Sequence, residues 1–199
     1  TSTSVGKLHE IESYHAHSMI FTRFDYSTGD AAGQNMVSRA TFIACEWINQ
    51  QRPEMLHYML SGNFDTEKKT SSVNLLKTRG RRVTAEITIP RDILMKHLRV
   101  APEQIAYGQQ ISTLSAILTN SSNNANHPAN ALAALYLATG QDVANIGESN
   151  QCTTFQRATS KGDFYFSITL PALIMATYGG GTSLPTQREC LRMLGCEGQ

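Results

Sequence analysis

Apolar and polar positions alternate in part over two adjacent stretches near the start of the chain, residues 7–17 and 19–26. This alternation, with many β-favouring side chains, predicts two strands, the second closed by a Ser-Thr-Gly turn. Apolar residues then recur at helical spacing from Met36 to Ile48, which predicts a helix starting near Asp30, a good N-cap residue. Arg52-Pro53 ends this helix, and residues 56–60 predict a returning strand.

The remainder of the chain has a different pattern, which predicts longer helical stretches and fewer strands. The predicted elements are a strand at 83–89, a helix opened by Pro90 and ending at Arg99, a helix at 112–118, a polar loop at 121–126, a helix at 129–139 stopped by Gly140, a strand at 164–170, a glycine turn at 179–181 and a helix at 187–194. The order of the first part, β–β–α–β, is most of a ferredoxin-like unit that lacks its opening β–α pair. The pattern therefore predicts an α/β (α+β) protein.

Composition narrows the class of protein. Apolar residues make up 41% of the 199 residues and charged residues 17%, which is typical of a soluble globular protein. A net charge of +1 suggests neither a nucleic-acid nor a membrane-surface partner. The longest apolar run, residues 131–138, is shorter than the ~20 residues that a membrane span needs. The first residues are polar, unlike a signal peptide, so we expect a cytoplasmic location.

The cysteines and the basic cluster suggest little chemistry. Four cysteines, Cys45, Cys152, Cys190 and Cys196, have neither CxxC spacing nor a histidine partner at ligand spacing, so we expect free thiols and no metal site. Residues 77–82 hold a short basic cluster that fits either a solvated turn or a contact to an anion.

Three features could carry chemistry, and each has a plain alternative. Residues 29–36 form a small-residue run at a helix start, where a phosphate could approach the backbone, although an ordinary helix cap explains it too and it is no GxGxxG motif. Lys68, next to Glu67 and Lys69, could stabilise an oxyanion or be a solvated charge. Asp142 follows a predicted helix end, opposes the helix dipole, and therefore needs a partner. Asp142 could therefore be part of a structural ion pair, or it could be a catalytic carboxylate that pairs with Lys68.

Together these motifs resemble the hydroxymethylglutaryl-CoA (HMG-CoA) reductase family. The resemblance runs in order through nearly all 199 residues and is carried by residues 29–36, 61–63 with 67–69, 127–130 with 140–142, and 178–182 with 184–187. It implies NADPH or NADH as the cofactor and HMG-CoA as the substrate, reduced to mevalonate and CoA in two hydride transfers.

The resemblance also implies an architecture. A ferredoxin-like NAD(P)-binding subdomain is inserted in a larger mixed α/β substrate domain. Residues 1–58 would be the remainder of the small domain and 59–199 part of the large HMG-CoA-binding domain, both incomplete. We expect a homodimer or higher homo-oligomer with the active site at the subunit interface.

Site residues follow from the matching motif positions. Lys68 would stabilise the oxyanion, and Asp142 would hold Lys68 charged and oriented. Residues expected to bind the substrate are Ser61, Glu67, Lys69 and Asn130 for the hydroxymethylglutaryl part and His127 for the thioester end. Residues expected to line the cofactor are Asp30, Gly33, Asn35, Met36, Gly179, Gly180 and Gly181.

Some positions depart from the family pattern. We expect the family's catalytic glutamate and a substrate-binding arginine before residue 1, and its C-terminal histidine after Gln199. Gln110 stands where a substrate lysine is familiar, Glu67 replaces an aspartate, and Ser4 replaces an arginine that selects NADP. The choice between NADPH and NADH therefore stays open. A shortened relative that binds NAD(P)H or acyl-CoA without turnover, or a reductase of another acyl thioester, are the alternatives.

Overall fold

The computed structural model describes residues 2–124 and 127–198, so residues 125 and 126 of the predicted polar loop lie outside the described residues. The strands are β1 (Lys7–Ala16), β2 (Met19–Ser27), β3 (Arg81–Ile89), β4 (Thr153–Ala158) and β5 (Phe164–Leu173). The helices are α1 (Gln34–Gln51), α2 (Ser72–Lys77), α3 (Arg91–Leu98), α4 (Pro102–Thr119), α5 (Pro128–Thr139), α6 (Ile146–Ser149) and α7 (Pro185–Met193), with 3₁₀ turns at Val143–Asn145 and Gly180–Ser183. The predicted mixed α/β class is confirmed.

The chain divides into two compact units. The first contains residues 1–67, 139–141 and 176–199 and the second contains residues 68–138 and 142–175. In the first unit, β1 and β2 pair as an antiparallel hairpin, with a register shift between Leu8 and Glu10. Its turn contains His17, whose backbone is left-handed at φ 55°, a conformation that tight hairpin turns require.

Helix α1 begins at Gln34, so the prediction of a start near Asp30 was wrong. Residues 28–33 form a turn instead, in which the Thr28 hydroxyl donates to the Ala31 carbonyl at 2.8 Å. Gly33 is the N-cap residue with φ 75°, and a β-carbon on it would overlap the Thr28 side chain. The conformation that this glycine allows therefore delays the helix by one turn. The predicted end at Arg52-Pro53 is confirmed.

The predicted strand at residues 56–60 was also wrong. In the described structure this stretch has no regular secondary structure, and Leu56 and Met59 are 94% and 79% exposed. Among the described residues, the sheet of this unit contains β1 and β2 alone, so no neighbouring strand supplies backbone hydrogen bonds to this stretch. The prediction rested on apolar residues alone, and these do not form a strand without a partner to pair with.

The second unit is built on a three-stranded antiparallel sheet with the order β3-β5-β4. Strands β3 and β5 contain the two strands predicted in this half, and α3 and α5 begin beside Pro90 and at Pro128 as expected. Helix α4 is longer than the predicted stretch, and α7 begins two residues earlier than predicted. Buried side chains of this unit include Leu94, Leu132, Tyr136, Phe164 and Ile174.

Strand β4 and helices α2 and α6 were not predicted. The inward positions of β4 are Thr154 and Gln156, each 8% exposed. Their side chains bond to Gln109 of α4, with Thr154 Oγ1 3.1 Å and Gln156 Nε2 2.7 Å from Gln109 Oε1. Because polar residues fill the buried side of this strand, its sequence lacks the apolar alternation that marks a half-buried strand.

Within the described part of the chain, every helix is too short or too polar to cross a membrane. Across the same residues, no group of three or more histidine, cysteine, aspartate or glutamate side chains could hold a metal ion. The cysteines are free, with Cys152 buried and Cys196 exposed. Burial raises the pKa of the Cys152 thiol to about 11, so this thiol is a packing residue.

Candidate active site

An ion pair joins the two predicted catalytic residues. Lys68 Nζ lies 2.8 Å from Asp142 Oδ2, and about two fifths of each side chain is exposed. Both belong to the second unit. Because the pair is partly exposed, the ammonium of Lys68 lies within reach of a ligand from solvent. A cation held in place before a reaction begins is a type of group that can stabilise a developing oxyanion.

Asp142 occupies a different structural position from the predicted one. It does not end helix α5; it is the N-cap of the 3₁₀ turn Val143–Asn145, and its Oδ1 accepts from the Ala144 N–H at 3.1 Å. A carboxylate at such an N-terminus is favoured, so the predicted conflict with a helix dipole is absent. The hydrogen bond from Lys68, with that from Ala144, holds the pKa of Asp142 below its ordinary value.

The backbone of Lys68 is also tightly contacted. Its N–H donates to Glu148 Oε1 at 3.1 Å, and the same oxygen pairs with the Arg79 guanidinium. Glu148 is fully buried. An ideal β-carbon on Gly147 would lie 2.5 Å from the Lys68 carbonyl oxygen. Arg79 of the basic cluster is therefore a structural partner of a buried acid.

The first unit brings together two of the predicted cofactor motifs. The Asp30 carbonyl accepts from the N–H groups of Thr177 and Tyr178, at 2.9 and 3.3 Å. The turn before α1 therefore lies beside the segment that leads into Gly179–Gly181. Asn35 and Asp30 are exposed, whereas the Met36 thioether accepts the Thr3 hydroxyl at 2.8 Å.

The three glycines of residues 179–181 differ in the space around them. Gly179 and Gly180 have positive φ, and a β-carbon on either would meet nothing within 4 Å. A β-carbon on Gly181 would overlap the Gly140 carbonyl, and one on Gly140 would overlap Gly181. The third glycine therefore packs against another backbone, while the first two leave room for a ligand.

Gln141 fixes the neighbouring backbone. Its Oε1 accepts from the Ala176 N–H at 2.7 Å, and its Nε2 donates to the Ala176 carbonyl at 2.8 Å. These two bonds satisfy both backbone groups of one residue, as a paired strand would. Sequence reasoning gave Gln141 no role of its own.

The predicted substrate residues are distributed over both units. In the first unit, the Ser61 hydroxyl donates to Asp65 Oδ2 at 3.0 Å, and Glu67 Oε1 accepts from Gln34 Nε2 at 2.8 Å. In the second unit, Lys69, His127 and Asn130 are exposed, and the Asn130 N–H donates to the His127 carbonyl at 3.2 Å.

His127, just before α5, lines a surface groove. The groove has a volume of about 590 Å³ and is lined by the end of α4, described residues of the following loop and the first residues of α5, including His127. Its lining mixes polar residues, such as Ser112, Ser115 and Asn150, with apolar ones, such as Ile111 and Ala116.

Glu148 and Arg79 were missed as parts of the site. In sequence, Glu148 is one acid in a polar stretch, and its burial could not be read from periodicity because α6 is a single turn. The only available signal was the spacing of six residues from Asp142.

Comparison with known proteins places the chain in a family. Residues 1–199 match the family model described as Hydroxymethylglutaryl-coenzyme A reductase. The chain is 39% identical over 197 residues to the 3-hydroxy-3-methylglutaryl-coenzyme A reductase of Pyrococcus abyssi, covering 98% of this chain and 48% of that protein. With the proteins of the same name from Methanothermobacter thermautotrophicus and Halobacterium salinarum it shares 40% and 38% identity, covering all of this chain and 50% and 49% of theirs.

The matched proteins are reductases, which belong to the oxidoreductase class of enzymes. The chain belongs to the hydroxymethylglutaryl-coenzyme A reductase family. It spans about half the length of the curated relatives it matches.

Proposed function

We propose that this chain carries the catalytic lysine and aspartate of an enzyme that reduces HMG-CoA to mevalonate and CoA with NADPH or NADH. Membership of the family supports the reaction. The observation that carries the assignment to residues is the 2.8 Å pair between Lys68 Nζ and Asp142 Oδ2.

In this proposal Lys68 stabilises negative charge on the thioester carbonyl oxygen. An ammonium fixed before the reaction begins needs no reorganisation as the charge develops. Asp142 orients the ammonium, and the Ala144 N–H in turn orients the Asp142 carboxylate. Its lowered pKa keeps the carboxylate ionised throughout the neutral range.

The nicotinamide cofactor would supply hydride in both steps. The residues proposed to hold it are Asp30, Gly33, Asn35, Met36, Gly179, Gly180 and Gly181. Open space at the β-carbon positions of Gly179 and Gly180 fits close approach of a ligand to the backbone. The hydrogen bonds from Thr177 and Tyr178 to Asp30 support a common site for the two motifs.

The substrate residues stay proposals too. Ser61, Glu67, Lys69 and Asn130 would bind the hydroxymethylglutaryl part, and His127 the thioester end. Lys69 and Asn130 are exposed, as ligand contacts require. Ser61 and Glu67 have partners within the protein, Asp65 and Gln34, that a substrate group would share or replace.

The arrangement of the whole protein is also proposed. Residues 1–58 would belong to the small ferredoxin-like domain and 59–199 to the large domain. We expect a homodimer or higher homo-oligomer, and a cytoplasmic location.

The test uses the full-length protein and follows cofactor oxidation with HMG-CoA. Replacing Lys68→Met removes the cation while keeping the length of the side chain, and we expect kcat to fall about 100- to 1,000-fold, the usual loss for one oxyanion-stabilising group. Asp142→Asn should also lower kcat, because the amide cannot hold the ammonium in the same way.

Lys161→Met is the matched control, since Lys161 is exposed in the β4–β5 turn, and it should leave kcat unchanged. Acetyl-CoA and other acyl-CoAs are compared with HMG-CoA in the same assay. Turnover that survives Lys68→Met would refute the catalytic assignment. A clear preference for another thioester would replace HMG-CoA as the substrate.

A further inference from the structure

One short segment, Asp142 to Ser149, contacts Lys68 at three places. Asp142 Oδ2 meets the ammonium at 2.8 Å. Glu148 Oε1 accepts from the backbone N–H at 3.1 Å. Gly147 faces the backbone carbonyl so closely that a β-carbon would lie 2.5 Å from its oxygen. The same segment therefore contacts both the backbone of Lys68 and the end of its side chain.

The backbone of Lys68 needs such contacts. Its φ is +61°, in the left-handed region. Residues with a β-carbon are uncommon there, and they persist where surrounding structure holds them. The hydrogen bond to Glu148 and the close approach of Gly147 act on the two peptide groups that flank this strained residue.

Glu148 has the charge partner that its burial demands. A carboxylate with no exposed surface is strongly disfavoured unless it is paired and hydrogen-bonded. The Arg79 guanidinium pairs with the oxygen that also accepts from Lys68. The cost of burying the carboxylate offsets much of the attraction in such a pair, so its net contribution to stability is small.

We propose that Glu148, fixed by Arg79, and Gly147 are positioning residues that set the backbone of Lys68 so that its ammonium meets Asp142. The inference rests on the proposed catalytic role of Lys68. Glu148 itself does no chemistry, because it is buried and reaches Lys68 through the backbone. Its effect on turnover is transmitted by the direction in which the lysine side chain leaves the chain.

The test compares variants of the full-length protein by two measurements. Gly147→Ala adds the β-carbon that displaces the Lys68 carbonyl, although alanine is otherwise favoured in a helix. Glu148→Gln keeps the shape and removes the charge. The first measurement is the pKa of the Asp142 carboxyl by carbon-13 NMR, which should rise towards the value found in Lys68→Met. The second is steady-state kinetics, in which kcat should fall about 10- to 100-fold while KM changes less than about twofold.

The controls make equivalent changes away from Lys68. Gly108→Ala adds a methyl group in α4 where nothing lies within 4 Å. Glu103→Gln removes the exposed ion pair with Arg91. Both should leave the Asp142 titration and kcat as in the wild type.

The inference is overturned if Gly147→Ala and Glu148→Gln, folded by circular dichroism, both leave the Asp142 titration and kcat at wild-type values. Should Glu148→Gln fail to fold, Gly147→Ala and the milder Arg79→Lys decide in the same way. The proposed function fails separately, when Lys68→Met retains full turnover. The NMR titration still decides the positioning inference in that case, because it needs no activity.

Discussion

At the scale of single residues, Lys68 and Asp142 have little meaning apart. Each is a partly exposed charge in a loop or turn, the commonest environment for its residue type. Their pairing became predictable only because both stand in motifs that resemble one family. The direct bond between them was a correct expectation, whereas the reason for it, a helix end at Asp142, was not.

The pair should make a small, pH-dependent contribution to stability. The pKa of Asp142 is lowered in the folded state from an ordinary value of 3.8. Such a group stabilises the fold fully above the unfolded-state pKa and loses this effect as the pH falls through the folded-state pKa. Because both side chains are more than a third exposed, screening limits the contribution to less than about 1 kcal/mol.

We therefore predict that Lys68→Met lowers the free energy of unfolding by this small amount at pH 7, and that the difference begins to shrink near pH 3.8 and disappears once the pH has fallen through the lower folded-state pKa. Urea unfolding at the two pH values measures it. Lys161→Met should show no such pH dependence. A deficit that persists unchanged in acid would mean that the lysine stabilises the protein by packing and not by its charge.

Glu148 shows what residue-by-residue reading of the sequence lacks. Its importance depends on complete burial and on a bond to the backbone of Lys68. Neither property follows from residue type, because backbone groups are identical along the chain. Only the three-dimensional path of the segment assigns it a partner.

At the scale of elements, the residues that follow helix α5 make close backbone contacts within the first unit. Gly140 follows α5 with φ 71°, and its carbonyl packs against Gly181. Gln141 then bonds both backbone groups of Ala176. A helix end predicted from one glycine thus provides a tight backbone contact between distant parts of the chain.

Gly140→Ala should destabilise the protein by about 1–3 kcal/mol, the usual cost of overpacking, with added strain from the left-handed backbone. Thermal unfolding measures the loss. Gly108→Ala is the control, because it fills open space in a helix and should be neutral or slightly stabilising. Equal melting temperatures for Gly140→Ala and wild type would show that the contact relaxes easily.

The elements that could be predicted were those with apolar periodicity or clear boundary residues. Strands β1, β2, β3 and β5 and helices α1, α3, α5 and α7 have these signals. Strand β4 lacks them because its buried side chains bond to Gln109 instead of packing in an apolar core. The false strand at 56–60 had apolar residues but no partner strand, and sequence periodicity carries no information about pairing.

At the scale of the whole molecule, helix α4 exposes an apolar stripe. Tyr107, Ile111, Leu114 and Leu118 follow each other at helical spacing, and each is at least half exposed. A continuous stripe of this kind marks an interaction surface more often than a solvated face. A net charge of +1 adds little repulsion against association.

We predict that this stripe lies in the subunit interface of the proposed homo-oligomer. Leu114→Glu in the full-length protein should therefore shift the oligomer towards monomer, as measured by analytical ultracentrifugation. Leu76→Glu is the control, because Leu76 is 85% exposed outside the stripe. An oligomer unaffected by Leu114→Glu would place the interface on another face.

The three contacts to Lys68 from residues 142–149 also constrain the length of that segment. Val143 and Ala144 are exposed, so substitutions of their side chains should leave all three contacts in place. Inserting or deleting one residue between Asp142 and Gly147 would instead change the position of the Asp142 carboxylate relative to Gly147 and Glu148. The three residues could then no longer contact Lys68 together. Spacing should therefore be less tolerant of change here than residue identity.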